Sequence, residues 1–409
     1  MSINKHKILD ISEIISGRGP KNVKNLQDFA SQHGKINWLL VKNLINNSIN
    51  NDFEKYNLDE EKHSLVKLNK NELVYSMYAT PGIVAINEFY DNLYINQSFC
   101  KIIPNENICL KKFLFYWLIK NKNYALSLSS GTTQSNLNIN KIRNFVIYLP
   151  PIEEQNAIIS IIEPHEKLFI KYSNLVDISS VENTKKDVDN LISIIEPIEK
   201  VINNIKNIKI KIESLINKYF DFLYSDLEDS NFKKYILGDL FTINRGQIIN
   251  SKYIYNNIGP YPVVSSNTKN NGIFGYINSY MYDGEFITIS ADGAYAGTVF
   301  LQNGKFSITN VCFILMKNKD IDFKFNNKFV YYILKKEQEI NRLKSQVGSS
   351  RPAVREYSLK EIKINLPNME IQEEFSKIVE PLLNLSTKAN RIEKILNDCL
   401  LKIVKKLIV

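Results

Sequence analysis

Arg18, Lys42, Asn43, Tyr78 and Gln134 fall in polar, turn-rich stretches of the first half of this 409-residue chain, and Arg245, Gln247, Lys269, Asn270, Asn271, Tyr295 and Arg351 fall in such stretches of the second. Guanidinium, ammonium, carboxamide and phenol groups of this kind donate to phosphate oxygens and to base edges. Gln134 and Arg351 close the turns Gly131-Thr132-Thr133-Gln134 and Gly348-Ser349-Ser350-Arg351, where backbone N–H groups and hydroxyls add further donors. Any single one of these residues reads better as solvated surface. The set has weight because its members occupy corresponding loops of the two halves.

Other chemistries find little support. There is no Asn-Pro-Pro-aromatic or Asp-Pro-Pro-aromatic tetrapeptide and no G-x-G-x-x-G after a strand, so a methyltransferase or dinucleotide site is not expected. GDLFTINRG (238–246) and NGKFSITN (303–310) carry turn glycines without the G-K-[ST] ending of a phosphate-binding loop. His6, His33, His63 and His165 are scattered, with no ligand spacing, so no metal site is expected. Cys100, Cys109, Cys312 and Cys399 form no C-x-x-C pair and sit among apolar residues, as buried free thiols in a reducing cytoplasm do. The longest apolar run, FLFYWLI at 113–119, is far too short to span a membrane. MSINKHKILD lacks the apolar segment of a signal peptide. A net charge of +9 suits a polyanionic partner, although a chain this rich in Asn, Ile and Lys gains lysine from AT-rich codons as well.

The elements that must hold these loops are organised by an internal repeat. Residues 130–164 align without a gap on 347–381 with nine identities in thirty-five positions. Both segments end in a proline-bracketed helix opening, LPPIEEQNAIISIIEP (149–164) and LPNMEIQEEFSKIVEP (366–381). Upstream, FLFYWLIK (113–120) answers to FVYYILKK (329–336) and YINQSFCKII (94–103) to SITNVCFILM (307–316). Asp10-Ile11-x-x-Ile14-x-x-Gly17 answers to Asp239-Leu240-x-x-Ile243-x-x-Gly246. NELVYSMYATPGIVAI (71–86) and GEFITISADGAYAGTVFL (284–301) predict strand, glycine-bearing turn, strand, while the FLFYWLIK and FVYYILKK segments predict short helices.

The helical segments carry a heptad. One row is Leu191, Ile198, Ile205, Ile212 and Tyr219, with Ile194, Val201, Ile208 and Leu215 three residues on; at the carboxy terminus Phe375, Leu382, Ala389, Leu396 and Ile403 are joined by Ile378, Leu385, Ile392 and Cys399. These two rows predict a coiled-coil seam, against the alternative of an amphipathic helix lying on its own domain. Twenty-nine residues (191–219) make a rod of roughly 43 Å, about a dozen base pairs of duplex. In the helix openings, proline and Glu suit the first turn. The internal Glu-Pro at 163–164, 196–197 and 380–381 interrupts the helical pattern and predicts bends that lay each helix into the seam, with a short helix over 152–171 and a long one over 185–222. The expected division is 1–149 and 231–366 for the β-rich domains, and 150–224 and 367–409 for the helical regions. The fold class is α+β with a pseudo-twofold internal repeat.

Two β-rich domains, each ending in a G-[ST]-[ST] turn, a hydrophobic run and L-P-x-x-E-x-Q into a heptad helix, resemble the specificity subunit of bacterial type I restriction-modification enzymes along essentially the whole chain. The resemblance implies two target-recognition domains separated by two long antiparallel coiled-coil helices. It also implies a non-catalytic subunit that reads a bipartite sequence in double-stranded DNA, one half-site per domain. The chain itself would bind no cofactor: S-adenosylmethionine would belong to partner modification subunits that grip the helices, and ATP to restriction subunits attached through them. Leu-Pro-Asn in place of Leu-Pro-Pro, Gly-Ser-Ser-Arg-Pro-Ala in place of Gly-Thr-Thr-Gln-Ser-Asn, and an extra central Glu-Pro unit depart from a strict repeat. Alternatives are the DNA-reading subunit of a fused type II system, a coiled-coil scaffold that binds proteins or glycans, and a self-sufficient methyltransferase, which the missing tetrapeptide disfavours.

Overall fold

The computed structural model describes residues 4–129, 136–228, 231–267, 270–347 and 352–407. It divides into two compact units, residues 1–203 with 395–409, and residues 204–394. The units differ from the four-part division expected above, because each β-rich domain takes a share of both helical regions into its own core.

In the first unit, β1 (Asn4–Lys7) pairs antiparallel with β12 (Val146–Leu149), bringing the two ends of the β-rich domain together. The one-turn helix α1 (Ile8–Ile11) leads into β2 (Ser12–Ser16), the first strand of an antiparallel sheet ordered β2-β11-β8-β9, with β8 (Leu73–Ser76), β9 (Val84–Ile86) and β11 (Phe99–Pro104). A second sheet is ordered β6-β3-β10-β7, from β3 (Ile36–Leu39), β6 (Glu54–Tyr56), β7 (Val66–Leu68) and β10 (Leu93–Ile95). The short hairpin β4 (Leu44–Ile45) and β5 (Ser48–Ile49) turns through Asn46 and Asn47, both left-handed. Helices α2 (Lys111–Lys120), α3 (Lys122–Ser127) and α4 (Ile139–Arg143) complete the domain. Phe113 to Ile119 of α2 are all buried, so its apolar run reflects cover on every side.

The second unit repeats the plan. β13 (Phe232–Ile236) pairs with β22 (Lys363–Pro367), and α9 (Leu237–Leu240) leads into β14 (Phe241–Arg245). Its sheet begins with the same order, β14-β19-β17-β18, from β17 (Tyr282–Ser290), β18 (Val299–Ile308) and β19 (Cys312–Lys317), and then continues through β15 (Ile258–Val264) to β16 (Ile273–Ile277). Helix α10 (Ser251–Asn256) precedes β15; α11 (Asn327–Lys336), α12 (Gln338–Ser345), the strand pair β20 (Gln346–Val347) and β21 (Ala353–Val354), and α13 (Glu356–Lys360) follow the sheet. The repeated aspartates do the same work: Asp10 accepts from the Lys7 amide at 3.0 Å and Asp239 from the Ile236 amide at 3.2 Å. So do the repeated glycines. A Cβ on Gly17 would overlap the Asn96 carbonyl, and one on Gly246 the Ile308 carbonyl.

The helical region opens with α5 (Ile152–Ile162) in the first unit and α14 (Met369–Leu407) in the second. Gln155, fully buried, takes the Leu110 amide on Oε1 at 2.9 Å and donates Nε2 to the carbonyls of Ile108 (3.0 Å) and Pro150 (2.9 Å). Gln372 repeats this with the Asn326 amide (2.9 Å) and the Pro367 carbonyl (2.8 Å). Leu110 and Asn326 are the residues capping α2 and α11, so the Gln of L-P-x-x-E-x-Q pins each domain helix to the start of its helical region.

The three Glu-Pro copies have three outcomes. Glu163–His165 is a 3-10 turn that separates α5 from α6 (Glu166–Tyr172), dividing the single helix expected over 152–171. Between α7 (Val181–Asn190) and α8 (Glu196–Ser225), Leu191–Ile195 is a π turn in which the Glu196 amide reaches back to Leu191 O, just ahead of Pro197. The wider turn accommodates a residue that has no N–H of its own to offer. α14 runs through Pro381 as one helix. The inserted α6 also has a packing role. Its Phe169 lies on Tyr116 of α2 with ring centroids 5.1 Å apart, as Phe220 of α8 lies on Tyr332 of α11 at 5.7 Å.

The heptad rows require a correction. Leu191, Ile198, Ile205, Ile212 and Tyr219 face inward, as do Phe375, Leu382, Ala389, Leu396 and Ile403. The row expected beside them does not: Ile194, Val201, Ile208 and Leu215 are 38–55% exposed, Ile378, Leu385 and Ile392 are 45–49% exposed, and Cys399 is exposed. The second inward row lies four residues after the first, at Ile195, Ile202, Lys209 and Ile216 and at Val379, Ser386, Glu393 and Leu400. Its polar members concealed it. In the second unit Lys209 Nζ meets Glu393 Oε2 at 2.9 Å, and the Tyr219 and Phe375 rings stack at 5.9 Å. These pairings run antiparallel. Cys100, Cys109 and Cys312 are buried as expected, and burial pushes each thiol up to about 12, whereas Cys399, expected to be buried with them, lies on an outward helix face and is exposed.

Candidate nucleic-acid interface

In each unit a hairpin tip is tied by its backbone to the segment that follows the Gly-[ST]-[ST] motif. In the first, Leu137 N donates to Met77 O at 2.7 Å and Tyr78 bridges Asn136. In the second, Val354 N donates to Ala291 O at 2.8 Å, Gly293 N to Pro352 O at 2.9 Å, and Asp292 bridges Ala353. Left-handed residues shape both tips, Ala79 and Gly82 in one and Gly293 and Gly297 in the other. Tyr78 (37% exposed) and Tyr295 (62% exposed) stand on these tips.

The remaining candidates separate into groups. Arg245 joins the second tip: its Nη1 donates to Asn310 O at 3.0 Å and lies 3.7 Å from Asp292, and the guanidinium sits 4.7 Å over the Phe313 ring. Gln247 is beside it, its backbone paired with Ile308 and Asn310. Arg18 is exposed and its amide bonds Ile95 O, the counterpart of the Gln247 amide on Ile308 O. Lys42 faces Asp52 and Glu54 at 3.9 and 3.7 Å. Asn43 is 1% exposed, and its carboxamide binds the Leu40 amide and the Asp52 carbonyl. It is a buried structural residue, not a surface contact; the burial that satisfies its amide removes it from any ligand. Asn270 and Asn271 form an exposed left-handed turn, with Asn271 tied to Gln302 at 3.2 Å on β18, away from the Arg245 group. Gln134, Lys269 and Arg351 lie outside the described residues.

Against known proteins, the profile of a family described as the type I restriction modification DNA specificity domain matches twice, over residues 3–182 and 229–397. The chain belongs to that family. Each copy of the specificity domain begins at a β-rich domain and extends into the helices, as each compact unit does. The chain is 38% identical over 151 residues to the type I restriction enzyme MpnII specificity subunit of Mycoplasma pneumoniae, a match covering 36% of this chain and 43% of that one. It spans about half the length of the first curated relatives it matches, 47% and 41%. Among solved structures it is similar to a type I restriction-modification system S subunit from M. genitalium (19% identity, 99% and 96% of the two chains covered, TM-score 0.46). It is also similar to a chain from a type I R-M system described for its complex assembly and conformational transition (15% identity, 100% and 99% covered, TM-score 0.46).

Each specificity domain also carries a groove beside a longer helix, α2 in the first and α11 in the second. The first, about 980 Å³, is lined by Asn46, Asn47, Lys112 and Phe115 among others; the second, about 660 Å³, by Asn270, Asn271, Lys328 and Tyr331. Lys112 and Lys328 are corresponding residues, 3.7 Å from Glu163 and 3.8 Å from Glu380 of the corresponding Glu-Pro pairs. The sequence shows the two glutamines as part of the repeated L-P-x-x-E-x-Q helix start but not their pinning role, and these lysines were not among the candidates, although the repeat aligns them. Among the described residues no group of three or more His, Cys, Asp or Glu could hold a metal ion.

Proposed function

We propose that this chain is the non-catalytic DNA-reading subunit of a type I restriction-modification complex, each unit taking one half of a bipartite duplex target. The supporting observation is the duplication of the loop platform, Met77 on Leu137 and Ala291 on Val354, in two copies of a DNA specificity domain. Two like platforms in one chain suit two half-sites. The net charge of +9 suits the phosphate backbone.

The outward helix rows support the second part of the reading. Ile208, Leu215, Leu385 and Ile392 are large apolar residues at regular helical spacing and about half exposed. A repeated apolar row of this kind is suited to partner helices, and we assign it to the modification subunits. Methyl transfer from S-adenosylmethionine and ATP-driven steps then fall to partner subunits, with this chain supplying address and assembly.

The direct test is methylome sequencing of cells with and without the gene. A bipartite methylated motif that disappears with the gene is expected; an unchanged methylome in cells that express the chain with its partners contradicts the reading. Purified chain alone is expected to incorporate no labelled methyl group into DNA.

A further inference from the structure

The two units share a four-stranded framework, and what they do not share lies between its strands. In the first unit residues 17–72, which include β3 to β7, separate β2 from β8; in the second, residues 246–281 separate β14 from β17. If each unit reads a different half-site, as proposed above, features common to both cannot tell the half-sites apart. The hairpin tips therefore suit what the half-sites have in common, the phosphate backbone, and discrimination falls to the unshared segments.

The segment of the second unit has the composition and surface for this. Residues 247–281 contain no Asp or Glu, in a chain with 43 acidic residues among 409, and they hold five tyrosines, seven asparagines and two lysines. β15 and β16 form an antiparallel ribbon, Pro262 opposite Tyr276 and Val263 opposite Gly275, with β16 the last strand of its sheet. Period-2 alternation turns Phe274 (44% exposed) and Tyr276 (40%) to one face, while Ile277 is buried on the other. α10 covers that other face, its Ile254 lying against Gly275 and packing in one cluster with Val263 and Ile277, which leaves Phe274 and Tyr276 uncovered by it. Lysines flank the patch: Lys305 Nζ is 4.7 Å over the Tyr280 ring, and Lys394 Nζ 5.6 Å over Tyr276. An exposed aromatic face with cations and no carboxylate of its own complements a polyanion. A two-stranded ribbon fits the major groove, where phenol and carboxamide groups meet base-edge donors and acceptors and a phenyl ring meets the thymine methyl.

We infer that the outward face of the β15–β16 ribbon is the sequence-reading surface of the second unit, with Phe274 and Tyr276 directed at the base edges of its half-site, while Tyr295 and its tip grip the backbone. The test uses the full chain with its modification subunits. Phe274→Ala/Tyr276→Ala is expected to relax or change one half of the methylated motif and leave the other intact, with discrimination at the affected positions falling roughly tenfold. Tyr295→Ala is expected to weaken binding without changing the motif. An unaltered motif from the double variant, or a change in the opposite half, overturns the inference, as does loss of modification-subunit co-purification with the motif retained, which would make the patch a protein interface. If the double variant methylates nothing, fluorescence anisotropy on target and scrambled duplexes decides: a collapsed affinity ratio with non-specific binding retained supports the inference, and an unchanged ratio, or loss of binding to both duplexes, overturns it. Failure of the underlying reading looks different, since the unaltered complex would then yield no bipartite motif.

Discussion

The buried carboxamide of Gln155 accepts the Leu110 amide at 2.9 Å, joining the helical region to the cap of the first domain helix. The same side chain satisfies the carbonyls of Ile108 and Pro150. Gln155→Leu keeps the volume and strands all three groups, so it is expected to cost about 2–4 kcal/mol. Gln372→Leu is expected to do the same in the second unit. Chemical denaturation of both variants measures this; a loss below about 1 kcal/mol in either would show that the pin is dispensable.

Gly17 and Gly246 face backbone carbonyls at corresponding places, where an added Cβ has no flexible neighbour to displace. Gly17→Ala and Gly246→Ala are each expected to destabilise by about 3 kcal/mol. Thermal unfolding reads the effect, and a Tm within 1–2 °C of the parent for either variant would contradict the crowding.

Lys209 and Glu393, 29% and 16% exposed, place a charged pair in a seam whose other inward residues are apolar except Ser386. Lys209→Leu removes the nearest cation from a carboxylate that is mostly covered, at an expected cost of about 1–3 kcal/mol, and Glu393→Leu added to it is expected to recover much of that. A double-mutant cycle by urea denaturation gives the coupling. Zero coupling would mean that the pair neither stabilises nor sets the register.

Ile208 and Leu385 belong to the outward rows, 47% and 48% exposed. Ile208→Glu/Leu385→Glu is expected to leave the Tm of the isolated chain within about 2 °C while abolishing assembly with modification subunits, read by native mass spectrometry. A complex that forms as before would remove this face from the interface.

Burial raises the thiols of Cys100, Cys109 and Cys312 to about 12, so the thiolate appears only as pH climbs towards that value, whereas Cys399 is exposed. At pH 8 the three buried residues hold about one part in ten thousand as thiolate. Iodoacetamide on the folded chain is expected to label Cys399 alone, as peptide mass spectrometry would show. Rapid labelling of a buried thiol would place it at the surface.

Much of the architecture was legible in the chain itself. Repetition of L-P-x-x-E-x-Q, of the aspartate and glycine near each domain start, and of the apolar runs at 113–120 and 329–336 specified two copies of one plan. Local pattern is a property of neighbouring residues, and short-range sterics and hydrogen bonding translate it directly into hairpins and helices. The choice between apolar rows was decided only by packing. Ile194 and Ile195 have equal claims by periodicity, and the partner surface selects the row of Ile195 even though that row includes Lys209 and Glu393. Likewise Asn43 and Asn271 are the same residue type in similar turns. One is enclosed with its carboxamide satisfied by Leu40 and Asp52, and the other stands at the surface, because burial depends on what the rest of the chain brings opposite a residue and not on the residue's own chemistry.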